Sequence, residues 1–245
     1  YCSTALYYLA DCYFETGNKD KALEEYALVL EERGNPHAEE AALRAAEISF
    51  DNKDYGAALR YFNQLSDVSQ TTENKNIGRL GVLRTSYFLN NMEETVKIAS
   101  EIIADSKSTA EMRNEALLNR SKVYLQQNKP NDALKDLKEM NIDTRTSVGA
   151  EAKYIVSDVY FKLNRLNDAE KEILDFAKIG TSFPYWMARS FILLSDIYQQ
   201  KGDDFQAKQY LLSLQKNYTV KDEIQDMITS RLNQIEKRAK ERIAK

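Results

Sequence analysis

Six segments of this chain repeat one pattern at a nearly constant interval. Each carries a small residue at the same point: Ala22, Ala58, Thr95, Ala133, Ala169 and Ala207. The spacings are 36, 37, 38, 36 and 38 residues. A period of this size marks stacked supersecondary units, none of which can hide its apolar face alone.

Other positions keep register with this key residue. Twelve before it stand Ala10, Ala46, Leu83, Ser121, Ser157 and Ser195. Ten before stand Cys12, Ile48, Thr85, Val123, Val159 and Ile197, and nine before stand Tyr13, Ser49, Ser86, Tyr124, Tyr160 and Tyr198. Four after come Tyr26, Phe62, Ala99, Leu137, Ile173 and Leu211; seven after come Val29, Leu65, Ile102, Met140, Phe176 and Leu214. The small residues let two antiparallel helices approach closely, and the larger ones fill the gap between them. Five before the key residue stand Gly17, Lys53, Asn90, Asn128, Asn164 and Gly202. Gly and Asn tolerate the left-handed conformation that closes a helix. Lys53 breaks that rule, and with Asn52 beside it the second turn is expected to shift by a residue.

The pattern resembles the tetratricopeptide repeat, L-G-x2-Y followed by A-x3-F within about 34 residues. The segments SDIYQQKGDDFQA (195–207) and LADCYFETGNKDKALEEY (9–26) carry the likeness most clearly. It extends over residues 3–218, with the excess over the family period lying between units. The resemblance implies an all-α, right-handed α-solenoid of six tetratricopeptide-like helix-turn-helix units plus a C-terminal capping helix. The unit bounds are 3–36, 37–73, 74–111, 112–147, 148–185 and 186–219, so residues 1–219 form the array. From 220 to 245, Val220, Ile224, Ile228, Leu232, Ile235 and Ala239 recur at helical spacing, and this helix caps unit six. Its basic end, KRAKERIAK, reads as a solvated helix end or as a contact for an acidic partner.

All three prolines fit this punctuation. Pro36 after the N-cap candidate Asn35, Pro130 and Pro184 are each expected to open a helix. Ser108 to Glu111 and Thr219 to Asp222 read as capping boxes.

Thirty-four basic against 38 acidic residues leave a net charge of −4, so the chain lacks the basic footprint of a nucleic-acid binder. The longest clean apolar run is Phe191 to Leu194, too short to span a membrane. The first helix is under way by Ser3 without an initiator Met, and the chain reads as a fragment or a processed product. Cys2 and Cys12, ten residues apart on one helix, lie about 15 Å apart and cannot pair. Cys12 is expected to be a buried small hydrophobe.

Catalytic signatures are missing. The single histidine, His37, reads as an exposed helix-start residue with no nucleophile or orienting acid placed beside it. Lys201 to Asp204 occupies the turn of the repeat. The sequons at Asn119 and Asn217 read as chance matches. Trp186, in SFPYWMARSF, either fills the gap between units five and six or anchors a partner. The expectation is a non-enzyme with no cofactor and no metal.

The resemblance also implies that the first helix of each unit lines a concave groove holding a partner segment. Three positions per unit, four and three residues apart, form one stripe. The first comprises Tyr7, Leu43, Leu80, Leu118, Tyr154 and Ile192; the second Asp11, Glu47, Arg84, Lys122, Asp158 and Asp196; the third Phe14, Phe50, Tyr87, Leu125, Phe161 and Gln199. The edges are apolar and the central charges run acid, acid, base, base, acid, acid. That polarity implies a peptide with apolar anchors and an acidic middle, while packing between neighbouring helices is the plainer use of the same side chains. Tyr7, Asp11 and Leu43 stand where chaperone-binding relatives carry a Lys and Asn carboxylate clamp, so that clamp is absent.

The expected function is therefore a non-catalytic scaffold that binds a protein or peptide, with no nucleic acid and no membrane span, monomeric or weakly self-associating. A structural spacer or self-association platform in a larger protein is one alternative, and an accessory domain of an enzyme is another. Phrases such as FPYWMARSFILLSDIYQQKGDDFQAKQYL are similar to bacterial cell-envelope tetratricopeptide proteins, including the outer-membrane assembly lipoprotein type, and point to the periplasm or envelope.

Overall fold

The computed structural model describes residues 2–243; among them there are thirteen helices and no strand. In chain order they are α1 (Cys2–Glu15), α2 (Lys19–Glu31), α3 (Ala38–Asp51), α4 (Tyr55–Val68), α5 (Thr72–Phe88), α6 (Met92–Ala104), α7 (Ala110–Gln126), α8 (Pro130–Glu139), α9 (Ser147–Lys162), α10 (Leu166–Ile179), α11 (Pro184–Gln200), α12 (Asp204–Asn217) and α13 (Glu223–Ile243). Odd-numbered helices from α1 to α11 open the six hairpins, and even-numbered ones close them. The readings of Tyr1, of the Cys2 side chain and of the final Arg242 to Lys245 side chains lie outside the described residues. The chain divides into two compact units, Tyr1–Val123 and Tyr124–Lys245, and the division falls within α7.

The same turn closes all six hairpins. Gly17, Lys53, Asn90, Asn128, Asn164 and Gly202 all have positive φ, from +55° to +84°. In each, the left-handed residue donates its N–H three residues back and the next residue donates five back. Gly17 N–H thus reaches the Phe14 carbonyl at 3.0 Å and Asn18 N–H the Tyr13 carbonyl at 2.8 Å. This is the Schellman arrangement, which satisfies carbonyls the helix end would leave orphaned. The expected shift at Lys53 does not occur. Lys53 itself takes φ +60°, because the flanking helices hold the turn in register and the lysine accepts the strained conformation.

The residue after each left-handed position is at once the last of the turn and the N-cap of the next helix. Asn18, Asp54, Asn91 and Asp203 accept the N–H three residues on, whereas Lys129 and Arg165 provide no side-chain cap. Other starts are displaced from their sequence reading. The cap of α7 is Thr109, which accepts from Met112 N–H, not Ser108. Asp222 caps α13 by accepting from Ile224 N–H, displacing Thr219. Asn35 forms a turn onto His37 N–H and α3 begins only at Ala38, so Pro36 precedes the helix. Pro130 and Pro184 do open theirs.

The key residues Ala22, Ala58, Thr95, Ala133, Ala169 and Ala207 are fully buried. In the first unit, α2 packs through Ala22, Tyr26 and Val29 onto Ala41, Ala45 and Ile48 of α3. Through Phe62 and Leu65, α4 meets Val82 of α5, and Ala99 and Ile102 of α6 meet Met112 and Ala116 of α7. In the second unit, Ala207 and Leu211 of α12 pack with Ile224, Ile228 and Ile235 of α13. Close approaches demand glycine at Gly78, Gly81 and Gly149: a Cβ would lie 2.3 Å from the Ser66 hydroxyl, 2.2 Å from the Phe62 ring and 1.9 Å from the Asp143 carbonyl oxygen respectively.

Two substitutions test this packing. Lys53→Gly removes the left-handed strain and is expected to raise unfolding stability by about 1 kcal/mol. Gly81→Ala forces Phe62 aside and is expected to cost about 1–3 kcal/mol. Urea unfolding followed by far-ultraviolet circular dichroism reads both.

Candidate functional site

The stripe expected to line a groove comes from α1, α3, α5, α7, α9 and α11, and its members differ in burial. Leu118 is 2% exposed and Ile192 1%, so both belong to the core and present nothing to a partner. Glu47 and Arg84 are exposed, while Tyr7, Asp11, Phe14, Leu43, Phe50, Leu80, Tyr87 and Lys122 in the first unit are half-buried. So are Leu125, Tyr154, Asp158, Phe161, Asp196 and Gln199 in the second.

The central charges are matched within the chain. In the first unit, the Tyr26 hydroxyl donates to Asp11 at 2.8 Å, and burial together with that bond holds the tyrosine well above its ordinary pKa. Glu47 pairs with Arg44 at 3.1 Å. Arg84 forks onto both oxygens of Glu115 at 2.5 and 2.8 Å, and these bonds push its guanidinium pKa up. Lys122 Nζ stands 4.5 Å from the centre of the Tyr87 ring, and Arg44 lies 4.8 Å from that of Phe14.

In the second unit, Asp158 pairs with Lys162 at 2.7 Å. Asp196 receives both arms of Arg231 from α13 at 2.7 and 2.8 Å, and Gln199 accepts from Arg238. The capping helix therefore sits on two positions that the sequence assigns to the groove. Arg189 lies over Tyr154 at 5.0 Å and donates to the Tyr154 and Tyr185 hydroxyls at 2.8 and 2.9 Å. Tyr185 in turn donates to Glu223, the first residue of α13, at 2.7 Å. Burial first, then the nearby Asp158 charge, pushes the Tyr154 pKa up.

One part of the stripe opens into a cleft. In the first unit, Glu47, Phe50 and Asp51 of α3, Phe62 of α4, and Ile77, Leu80 and Arg84 of α5 enclose about 280 Å³. The floor is apolar and the charged groups stand at the rim. Gly81 lets α5 lie flush on the Phe62 ring, which is part of the cleft lining. An aromatic lip adjoins it: the Phe50 and Phe88 centroids are 5.8 Å apart, and Tyr55 stacks on the exposed Phe88 at 4.7 Å. Sequence reasoning passed over Tyr55 and Phe88, which sit beside the hairpin turns and outside the repeat register. The consecutive aromatics Tyr87 and Phe88 were the available signal. A larger hollow of about 540 Å³ lies between loops 141–145 and 179–182 of the second unit. Its threonine hydroxyls are already engaged, Thr144 with the Gly180 carbonyl and Thr181 with the Thr144 carbonyl.

The remaining candidates fall into place as packing or as surface. His37 is not exposed; it caps α3 in position and stacks on Tyr7 at 4.3 Å. Cys12 is exposed, contrary to expectation; among the described residues no helix packs on that side of α1. Trp186 stacks on Tyr154 at 5.6 Å and meets Tyr185 edge-on at 4.9 Å, filling the space between α9 and α11. Asn119 is buried and donates to the Glu115 carbonyl, which excludes a glycan there. Among the described residues, no three His, Cys, Asp or Glu side chains converge as metal ligands would.

These hairpins and turns define a class, the tetratricopeptide-repeat fold. Residues 4–35 match the tetratricopeptide repeat family directly. Solved structures extend the likeness along the chain. PilF of Pseudomonas aeruginosa is 18% identical with a TM-score of 0.63, over 93% of this chain and 96% of its own. PilW, a widely conserved type IV pilus biogenesis factor, is 20% identical with a TM-score of 0.62, over 93% of this chain and 98% of its own. The C-terminal part of a tetratricopeptide-repeat protein from Cytophaga hutchinsonii is 13% identical with a TM-score of 0.64, over 86% and 78%. No curated protein matches the chain significantly by sequence. No described helix is long and apolar enough to cross a membrane.

The paired hydrogen bonds from Arg231 to Asp196 are partly shielded and are expected to hold α13 in place. Arg231→Ala should cost about 1.5–3 kcal/mol, the range for hydrogen bonds to charged groups. Hydrogen exchange is then expected to speed up in α13 and stay unchanged in α1 to α6.

Proposed function

We propose that this chain is a non-catalytic scaffold that binds a protein segment at the first-unit cleft. The observation that carries the proposal is the apolar hollow beneath Glu47, Phe50, Leu80 and Arg84. Four residues chosen from repeat register line this apolar, accessible hollow, which supports the reading. A volume of about 280 Å³ falls just below the range of small-molecule sites. It suits one or two apolar side chains of a partner, with the Phe88 lip extending the contact.

The polarity read from the sequence changes in one respect. Arg84 already carries Glu115 on both oxygens, whereas the rim acids Glu47 and Asp51 are each held by one ion pair near the surface, with Arg44 and Lys19. The cleft therefore favours an apolar anchor flanked by a basic residue over one flanked by acids. We retain the reading of six units ending at 219 and a capping helix from 220 as part of this proposal.

The likeness to two pilus proteins over nearly their whole length supports a place in the bacterial envelope, with assembly of a surface structure as the setting. A spacer role and an accessory role to an enzyme are the competing functions. They predict that the cleft is indifferent to substitution.

Leu80→Lys puts a charge into the cleft at a half-buried site. Affinity capture from the native host, with circular dichroism to verify folding, is expected to lose the partner by at least about tenfold, as for loss of a central anchor. Arg84→Glu with Lys122→Glu is expected to weaken capture far less. Undiminished capture by Leu80→Lys would remove the cleft from the function.

A further inference from the structure

Polar contacts join successive opening helices from fixed positions of the repeat. Arg84 stands eleven residues before its key residue, and Glu115 eighteen before the next one. The two fork together across the gap from α5 to α7. At the gap from α9 to α11 the same two positions carry the opposite charges, Asp158 and Arg189. Here they do not bond. Asp158 turns to Lys162 on its own helix at 2.7 Å. Among the described residues no carboxylate stands within 4.0 Å of the Arg189 nitrogen atoms.

Arg189 is half-buried and has phenols for partners instead. Its Nη1 donates to the Tyr185 hydroxyl at 2.9 Å and its Nη2 to the Tyr154 hydroxyl at 2.8 Å. Its Nε is buried and meets no acceptor. The chain therefore satisfies two of the five guanidinium hydrogens. A shielded charge with neutral partners alone is costly, and an anion that completes the shell relieves that cost.

The two phenols differ. Tyr185 is fixed, because its own proton goes to Glu223 of α13 at 2.7 Å. The Tyr154 oxygen accepts from Arg189, while its proton has no acceptor among the described residues. Burial holds this hydroxyl above its ordinary pKa, so it stays a donor. Trp186 stacks on the Tyr154 ring at 5.6 Å and meets Tyr185 edge-on at 4.9 Å, so an indole borders the group.

We propose that Arg189 and Tyr154 form a carboxylate-binding site of the second unit, which takes an acidic group from a protein segment. Each terminal nitrogen of Arg189 spends one hydrogen on a phenol and keeps one. Those two hydrogens match the two oxygens of a carboxylate, and the Tyr154 proton supplies a third donor. Asp158 and Glu223 act on the group through space without reaching the guanidinium. One cation beside two engaged acids balances a single negative charge, which favours a carboxylate over a phosphate dianion. The site shares no residue with the first-unit cleft, and the inference does not depend on that cleft.

Trp186 is the single tryptophan of the chain, so its fluorescence reports on this group alone. The probe is a tripeptide of alanine, glutamate and alanine, blocked at both ends and titrated into the whole chain at fixed ionic strength. A saturable change in emission is expected, half complete at roughly 1–10 mM, as suits one charge-assisted contact. The same peptide with glutamine in place of glutamate is expected to leave the emission unchanged. Arg189→Lys keeps the charge but loses the fork, and is expected to weaken binding at least about tenfold. Tyr154→Phe keeps the ring stack and removes one donor, and is expected to weaken it about fivefold. Circular dichroism verifies that both variants fold. A trialanine blocked only at its N-terminus offers a chain-end carboxylate. Saturable binding of either carboxylate peptide supports the site, and the tighter of the two names the source. No saturable change with either peptide, an equal response to the glutamine peptide, or binding undiminished in both variants overturns the proposal. Tighter binding of inorganic phosphate than of either peptide overturns the carboxylate assignment.

Discussion

The fully buried small residue in the second helix of each hairpin is what the rest of the structure hangs on. At Ala22, Ala58, Thr95, Ala133, Ala169 and Ala207 a larger side chain would hold two backbones apart. With the helices in close contact, the ridge around that residue meets the opening helix of the next hairpin, and the hydrophobic effect does the rest. Gly81 carries this logic furthest, since α5 lies directly on the Phe62 ring.

The turns supply the second constraint. Six left-handed residues of three chemical types make one hydrogen-bonding pattern, and the following residue caps the next helix in four of the six. Register between helices is therefore locked at the turn as well as in the core. Lys53 shows which of the two dominates. Its conformation is imposed by the packing of the flanking helices, against its own preference.

Polar groups on the stripe serve mainly to join one opening helix to the next. Phe14 with Arg44, Tyr87 with Lys122 and Tyr154 with Arg189 are aromatic–cation contacts between successive opening helices, made from different positions of the repeat. Arg84 with Glu115 and Asp196 with Arg231 add forked ion pairs across equivalent gaps. A surface read from sequence as a row of charges awaiting a partner is in large part already neutralised, and recognition falls to the apolar ground between the pairs.

The sequence alone determined the helices, their pairing, the turns and the buried key residues, because each follows from a local period that one strand of text displays. It also placed Glu47, Phe50, Leu80 and Arg84 on a common face. Only the tertiary structure decided which of those faces is open. Leu118 and Ile192 sink into the core, Asp196 and Gln199 lie beneath α13, and Cys12 is left bare on α1. The physical reason is that helical period specifies the direction of a side chain from its own axis. Whether another helix stands in that direction depends on residues 30 or more positions away.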